Sequence, residues 1–216
     1  MSVKISVFLA DDHIVVRDGL CYLLEAQPDI RVVGSSSDGR DTVRQVNQIH
    51  PNVVIMDIAM PLLNGIEATE QILKVSPSTY VIILSMHATA EHIYRALRAG
   101  ARGYLLKESA GMEVVKAIRE VHVGRLYLSQ RIEETMTKDY LLGHKTISPL
   151  ESLSPREREI LQLIAEGKSS AEIAKTVYLS PKTVETYRSR LMQKLGVHDR
   201  HSLIKFAIQH GLTPLE

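Results

Sequence analysis

Short β-branched runs alternate with segments of helical period through the first 123 residues, and this alternation leaves the chain few possible folds. The runs fall at residues 5–9, 32–34, 53–56 and 80–84, with a weaker one at 103–106. Between them, Ile14, Leu20, Leu23 and Leu24 make one helical stripe. Ile66, Thr69, Ile72 and Leu73 make a second, and Val114, Val115, Ile118 and Val121 a third. Continuous apolar strands separated by amphipathic helices predict a parallel sheet covered on both faces. Five such units have the size of a flavodoxin-like, doubly wound, five-stranded α/β domain. In such a sheet a ligand sits at the carboxyl ends of the strands.

The second half reads differently. After Tyr127 no further strand is expected. Ser129 can cap a helix running to about residue 142, and residues 143–152 read as a loop. Ser154-Pro155 pairs a capping hydroxyl with proline at the first helical position, and Glu157 completes a capping box. Ser180-Pro181 repeats the signal, while Gly167 and Gly196 are helix stops. Four helices are predicted, at about 155–165, 170–177, 181–195 and 199–210. The expected organisation is an α/β domain over 1–123, a linker with a helix over 124–150, and an all-α four-helix domain over 151–216.

Composition removes several classes. No window approaches eighteen apolar residues, so no membrane span is expected. Residues 1–10 lack a small-residue cleavage site and run into an acidic pair, which reads as a strand and not a leader. The single cysteine, Cys21, lies in an apolar stretch and reads as core packing in a reducing compartment, with a cytoplasmic location expected. Residues 150–216 hold ten Lys/Arg against eight Asp/Glu, so this end carries +2 of a chain whose total is +1. That is a mild tilt toward a polyanion.

Asp11 and Asp12 follow the first strand and Asp57 follows the third, so three carboxylates converge on one sheet edge. Such a cluster repels itself unless a cation sits in it, and Mg²⁺ suits an all-oxygen donor set. Ser85 ends the fourth strand and Lys107 follows the fifth, offering a hydroxyl and an ammonium to a phosphate oxygen. A nucleophilic carboxylate, a divalent metal and a lysine together can stabilise phosphoryl transfer. Taken singly, each residue has a plainer reading: a helix cap, a turn aspartate, a loop hydroxyl, a solvated charge. Their placement at strand ends on one edge favours the joint reading.

The ordered set Phe8-Leu9-Ala10-Asp11-Asp12-His13, Val54-Ile55-Met56-Asp57-Ile58-Ala59-Met60-Pro61, Ile83-Leu84-Ser85-Met86 and Gly103-Tyr104-Leu105-Leu106-Lys107 resembles the CheY-like receiver domain of response regulators. The resemblance implies that Asp57 is the phosphoacceptor, served by a sensor histidine kinase. It implies Mg²⁺ on Asp11, Asp12, Asp57 and the backbone carbonyl of Ala59, with Lys107 on the phosphoryl group. Ser85 and Tyr104 would form a switch pair, the hydroxyl moving to the phosphate and the ring turning inward. Ala59 is smaller than the residue often found there, and with His87 it would flank the approach of water. Leu62-Leu63 occupies a loop that more often holds glycine or a polar residue, so an exposed leucine there is a possible partner contact. His13 reads as a local polar contact and not as a ligand.

On a helical wheel, Val184, Tyr187, Leu191 and Leu195 share one face of the 181–195 helix. Lys182, Glu185, Thr186, Ser189 and Gln193 lie opposite, flanked by Thr183, Arg190 and Lys194. That face could enter a major groove, with Glu185, Thr186 and Ser189 on base edges and Lys182, Arg188, Arg190 and Lys194 on phosphates. Glu185 would meet a cytosine amino group. A solvated amphipathic helix is the plainer reading.

Leu153-Ser154-Pro155-Arg156-Glu157-Arg158-Glu159-Ile160-Leu161, Ile173-Ala174, Leu179-Ser180-Pro181-Lys182-Thr183-Val184-Glu185-Thr186 and Lys194-Leu195-Gly196-Val197 together resemble the LuxR-type helix-turn-helix. Tyr187 stands where histidine is frequent. Receiver plus LuxR-type module is the pattern of the NarL/FixJ subfamily. It implies a transcriptional regulator that binds double-stranded promoter DNA as a homodimer, without enzymatic turnover beyond chemistry at Asp57. Release of the DNA-binding module and receiver-driven dimerisation both fit as the activating step. An aspartate-dependent phosphatase would want an Asp-x-Asp pattern, whereas Ile58-Ala59 follows Asp57. A nucleotide-binding flavodoxin-like protein would want a glycine-rich or hydroxyl-rich loop where Asp11-Asp12 stands. A regulator independent of phosphorylation would show a broken acidic set.

Overall fold

The computed structural model describes residues 4–142 and 148–213. Strands β1 (Ile5–Ala10), β2 (Ile30–Ser36), β3 (Val53–Asp57), β4 (Tyr80–Ser85) and β5 (Gly103–Leu106) alternate with helices α1 (Ile14–Glu25), α2 (Gly39–Ile49), α3 (Gly65–Val75), α4 (Ala90–Arg98) and α5 (Ala110–His122). They are followed by β6 (Tyr127–Leu128), α6 (Gln130–Leu141), α7 (Pro155–Ala165), α8 (Ser170–Val177), α9 (Pro181–Leu195) and α10 (Arg200–Gln209).

All strand pairings are parallel, in the order β2-β1-β3-β4-β5-β6. This is the doubly wound arrangement expected, with a short sixth strand added at the β5 edge. Strand alternation divides the core in two. Phe8, Val54, Met56, Val81, Ile83 and Tyr104 face one side, where helices α3 and α4 also bury their apolar residues. Val7, Leu9, Val53, Ile55, Ile82 and Leu105 face the other, against α1 and α5. Each large side chain buried in this way contributes about 1.5–3 kcal/mol. Ile14 does not join the stripe predicted for α1: it is 63% exposed, while Leu20 and Leu24 are buried.

The stretch after α5 is attached to the sheet. Gly103 lies opposite Tyr127 and Tyr104 opposite Leu128, the Tyr127 N–H donating to Arg102 O (3.0 Å) and the Ser129 N–H to Tyr104 O (3.2 Å), and Ile132 of α6 is fully buried in the α3/α4-side core. Leu150 belongs instead to the core of the helical half, with Ile160, Leu161, Leu163, Ile173, Val184, Leu191 and Leu203. Caps set the ends of these helices as their sequence suggests. Ser154 and Ser169 each form a capping box, with Glu157 and Glu172. Gly196, at φ 65°, closes α9 in the left-handed region that glycine enters without strain.

The two halves share an extensive interface. Arg158 of α7 donates to Glu67 (2.7 Å) and Glu70 (3.2 Å) of α3. Arg40 of α2 pairs with Glu159, and Arg98 of α4 with Glu151. At the far end, His210 Nδ1 lies 3.1 Å from Glu91 Oε1, and Ser148 Oγ donates to the same carboxylate. Burial works to raise the Glu91 carboxyl, but its bonds to His210 and Ser148 outweigh this and hold it at about 2.

Beside it, His92 is enclosed by Thr89, His87, Glu91, Arg95 and the backbone of Gly211. Burial, and then Arg95 and His87, push its imidazole down to about 4, against the opposing pull of Glu91. The folded form therefore holds His92 neutral, and its contribution to stability is present above the ordinary value of 6.5. It is lost as pH falls from there toward 4. The melting temperature of the wild-type chain should accordingly fall more steeply over that range than that of a His92→Gln variant. Parallel profiles would refute the assignment.

Candidate phosphoacceptor site and nucleic-acid interface

β1, β3, β4 and β5 all end at one edge, and their ends carry the polar residues singled out above. Asp11 is 3% exposed and its N–H donates to Ser36 O of β2 (3.1 Å), which fixes the carboxylate at the mouth of the sheet. Asp57, also 3% exposed, is the last residue of β3. Lys107 Nζ stands 2.8 Å from both Asp11 Oδ2 and Asp57 Oδ2. Burial, reinforced by Asp11 and Asp12, raises the Asp57 carboxyl above the ordinary range, although Lys107 pulls the other way. Burial also works against the Lys107 charge, but Asp57 and Asp11 outweigh it and hold its pKa above that of a free lysine.

Ligand atoms of Asp11, Asp12, His13 and Asp57 all lie within 4.8 Å of one another. Asp11 Oδ2 and Asp12 Oδ1 are buried and accept no well-aligned hydrogen bond, although Lys107 Nζ and His13 Nδ1 stand 2.8 Å from them. Under-satisfied carboxylate oxygens gathered at one point are what a hard dication requires. Ala59, half-buried, follows in the loop from β3 to α3. His13 was read from the sequence as a polar contact. It does bond Asp11 (3.2 Å), but its Nδ1 also falls within the cluster.

Ser85 and Tyr104 are joined through His87. The His87 N–H donates to Ser85 Oγ (3.0 Å) and Tyr104 Oη donates to His87 O (2.7 Å). The Tyr104 ring is fully buried, so the inward position is the one this structure holds. Burial pushes its hydroxyl well above the ordinary tyrosine range.

In the helical half, Lys182, Thr186, Ser189, Arg190 and Lys194 are exposed on α9, while Thr183, Glu185 and Arg188 are half-buried. Glu185 and Arg188 pair with each other, and Ser170 of α8 also donates to Glu185. A base contact by Glu185 therefore requires exchange of these partners. Lys194 is turned toward its own domain, 2.8 Å from Glu157 of α7. The apolar face of α9 buries Val184 and Leu191, with Tyr187 and Leu195 half-buried beside them.

Residues 7–119 match the family described as response regulator receiver domain, and residues 151–207 match the luxR family of bacterial regulatory proteins. The chain belongs to the response regulator family. It is 40% identical to the response regulator UvrY of Escherichia coli (strain K12), over 98% of this chain and 97% of that one. Among solved structures it is similar to RcsB from Salmonella enterica serovar Typhimurium bound to promoter P1flhDC in the presence of the phosphomimetic BeF3-. That similarity has a TM-score of 0.62 and 29% identity, over 97% of this chain and all of that one. A second RcsB structure, of two dimers bound to two parallel DNAs, has a TM-score of 0.60 and 28% identity, over 94% and 97% of the two chains. A response regulator of this type joins a receiver to a LuxR-type regulatory domain, which accounts for a helical core separate from those on the two faces of the sheet. Among the described residues, no helix is long and apolar enough to cross a membrane.

Sequence reasoning did not find the residues that join the halves. Gln162 is fully buried and bonds the backbone of the β3–α3 loop. Leu63 lies in the receiver core, and Leu62 packs against the core of the helical half. The partner contact considered for this leucine pair is thus made within the chain itself.

Proposed function

We propose that this response regulator accepts a phosphoryl group on Asp57 from a sensor histidine kinase and in turn controls binding of a homodimer to promoter DNA through α9. The observation that carries the reading is the shared contact of Lys107 with Asp11 and Asp57 at the carboxyl edge of the sheet. Mg²⁺ would be held by Asp11, Asp12, Asp57 and the Ala59 carbonyl, and would supply charge neutralisation for the transferring group. Lys107 would bind a phosphoryl oxygen, and Ser85 another. Tyr104, tied to the same loop, would report the change to α4. On this reading the receiver carries no turnover chemistry beyond acceptance and hydrolysis at Asp57, and the protein works in the cytoplasm.

In the helical half, Lys182, Arg188, Arg190 and Lys194 would hold phosphates, and Glu185, Thr186 and Ser189 would face base edges with Thr183 flanking them. RcsB, a relative with this architecture, is seen on DNA as dimers. Here Lys182, Thr186, Ser189 and Arg190 of α9 are exposed, while the end of α10 is held on α4 by Glu91 and His210. That contact favours a release step before pairing, with the phosphoryl group shifting a population between docked and undocked forms.

The test is intact-protein mass after incubation with a small phosphodonor and Mg²⁺. The wild-type chain should gain one phosphoryl group, and Asp57→Asn should gain none, a complete loss. An adduct of equal yield on the variant would move the acceptor elsewhere.

A further inference from the structure

The acidic edge of the sheet contains a nitrogen donor as well as carboxylates. His13 Nδ1 lies 2.8 Å from Asp12 Oδ1 and 3.2 Å from Asp11 Oδ1. One ligand atom each from Asp11, Asp12, His13 and Asp57 fits within 4.8 Å. Asp11 is 3% exposed, and its Oδ2 accepts no well-aligned hydrogen bond, although Lys107 Nζ stands 2.8 Å away. A buried carboxylate oxygen in that state calls for a further cationic partner. One ammonium set against three carboxylates leaves the edge negative.

The imidazole is free to act as a ligand. His13 is the N-cap residue of α1, but its side chain makes no capping bond. Its backbone N–H donates to Asp11 Oδ1 (2.9 Å), while the side chain is 60% exposed. The ring can therefore turn without unpacking the core or uncapping the helix.

Three carboxylates and one imidazole make a mixed oxygen and nitrogen set. Mg²⁺ prefers oxygen and keeps several waters. Zn²⁺ and Co²⁺ accept imidazole nitrogen beside carboxylate oxygen. At about 2.0–2.2 Å from such an ion, four tetrahedral donors stand roughly 3.3–3.6 Å apart. The cluster reaches that spacing by closing on the ion, and the exposed ring is its freest member.

We propose that His13 is a direct ligand for a transition dication of the Zn²⁺ class, and that it makes this edge bind such an ion more tightly than Mg²⁺. The nitrogen strengthens a Zn²⁺ site and adds little to an Mg²⁺ site, so His13 sets which metal the cluster selects. Four protein donors also fill the sphere of a tetrahedral ion, leaving no position for a phosphoryl oxygen. Such an ion holds the receiver unphosphorylated, a consequence that rests on Asp57 being the acceptor. A histidine that only oriented Asp11 and Asp12 through hydrogen bonds would help every dication alike.

The full chain is compared as wild type, His13→Gln and Asp12→Asn. Co²⁺ is the probe, because its visible absorption rises sharply in a four-coordinate site, and Zn²⁺ and Mg²⁺ are titrated against it. The wild type should bind one Co²⁺ with the strong band, which Zn²⁺ displaces at stoichiometric amounts and Mg²⁺ only in large excess. His13→Gln keeps a hydrogen-bonding side chain and removes the imidazole. Its Co²⁺ and Zn²⁺ affinities should fall about tenfold or more, since loss of even an outer-shell partner costs that much. Its Mg²⁺ affinity should stay within about twofold. Asp12→Asn should weaken the band as well, which places the ion in the cluster. An unchanged band in either variant, or Mg²⁺ and Zn²⁺ affinities that fall together in His13→Gln, overturns the proposal.

With Mg²⁺ present, one equivalent of Zn²⁺ should suppress adduct formation from a small phosphodonor in the wild type and spare it in His13→Gln. Equal yields with and without Zn²⁺ in the wild type would overturn the filled coordination sphere. No adduct on the wild type with Mg²⁺ alone would instead count against Asp57 as acceptor, and the metal affinities would still decide the role of His13.

Discussion

Gly65→Ala should cost about 3 kcal/mol or more of unfolding free energy and should also slow phosphoryl acceptance. Gly65 opens α3, and its N–H donates to Ile58 O (2.9 Å). A Cβ there would stand 1.9 Å from Asp57 O, 2.8 Å from Asp57 C and 2.9 Å from Met56 Cγ. Two of those atoms are backbone, so no rotamer change relieves the overlap. Either α3 moves off the sheet or the end of β3 moves, and Asp57 goes with it. Gly19→Ala is the matched control. It lies exposed in α1, a Cβ there meets nothing within 4 Å, and alanine should stabilise the helix by about 1 kcal/mol. Denaturant midpoints measure both. A loss at Gly65 no larger than 1 kcal/mol would show that the β3–α3 junction is looser than the structure has it.

Lys107→Met should have an effect of similar size from the opposite cause. The ammonium is enclosed, with a side chain 7% exposed, and it stands between two carboxylates that are as deeply buried. Removing it leaves Asp11 and Asp57 facing each other without compensation, a loss on the order of 3–5 kcal/mol in metal-free buffer at neutral pH. Two dependences identify the cause. Mg²⁺ should restore part of the loss, since a dication can take over the same field. Lowering the pH should also narrow the gap between variant and wild type. The folded form already holds the Asp57 carboxyl above its ordinary range, so the folded state takes up that proton more readily than the unfolded one. Equal stability of the two chains in metal-free buffer, at all pH values tested, would rule out the electrostatic role.

The receiver site could be read from the sequence because a parallel sheet leaves little freedom there. Each apolar run stops where the chain leaves the core, so Asp11, Asp57, Ser85 and Lys107 had to meet at one edge. The helices α7 to α9 were legible for a similar local reason: Ser154 with Glu157, Ser180 with Pro181 and the Gly196 stop are signals complete within a few residues. Helices α2 and α4 gave weaker signals. The α4 face buries His92 and Arg95 beside Ile93 and Ala96, so its inner side shows no continuous apolar stripe. Those polar residues are buried against the other half, which no local pattern announces. Gln162 is the extreme case. Within its own helix it is a polar interruption in an apolar run, and its meaning comes from Met60 and Asn64, about a hundred positions earlier. β6 escaped notice because two residues are too few for a period of two to be seen.

The attachment of β6 and α6 to the receiver bears on how strong the interface must be. Since α6 ends at Leu141 and Ser148 already bonds Glu91, only a short stretch of chain links the two bodies. From 142 to 148 the backbone can reach at most roughly 20 Å. A partner on so short a leash is present at an effective concentration on the order of millimolar, whatever the abundance of the protein. Contacts too weak to hold two separate molecules together can therefore keep the halves closed, and on the proposed function a modest change at Asp57 would open them. The resting fraction of open molecules is set within each chain, independent of dilution, whereas pairing of open chains depends on their number. Abundance would then set the strength of the response, and the leash its threshold.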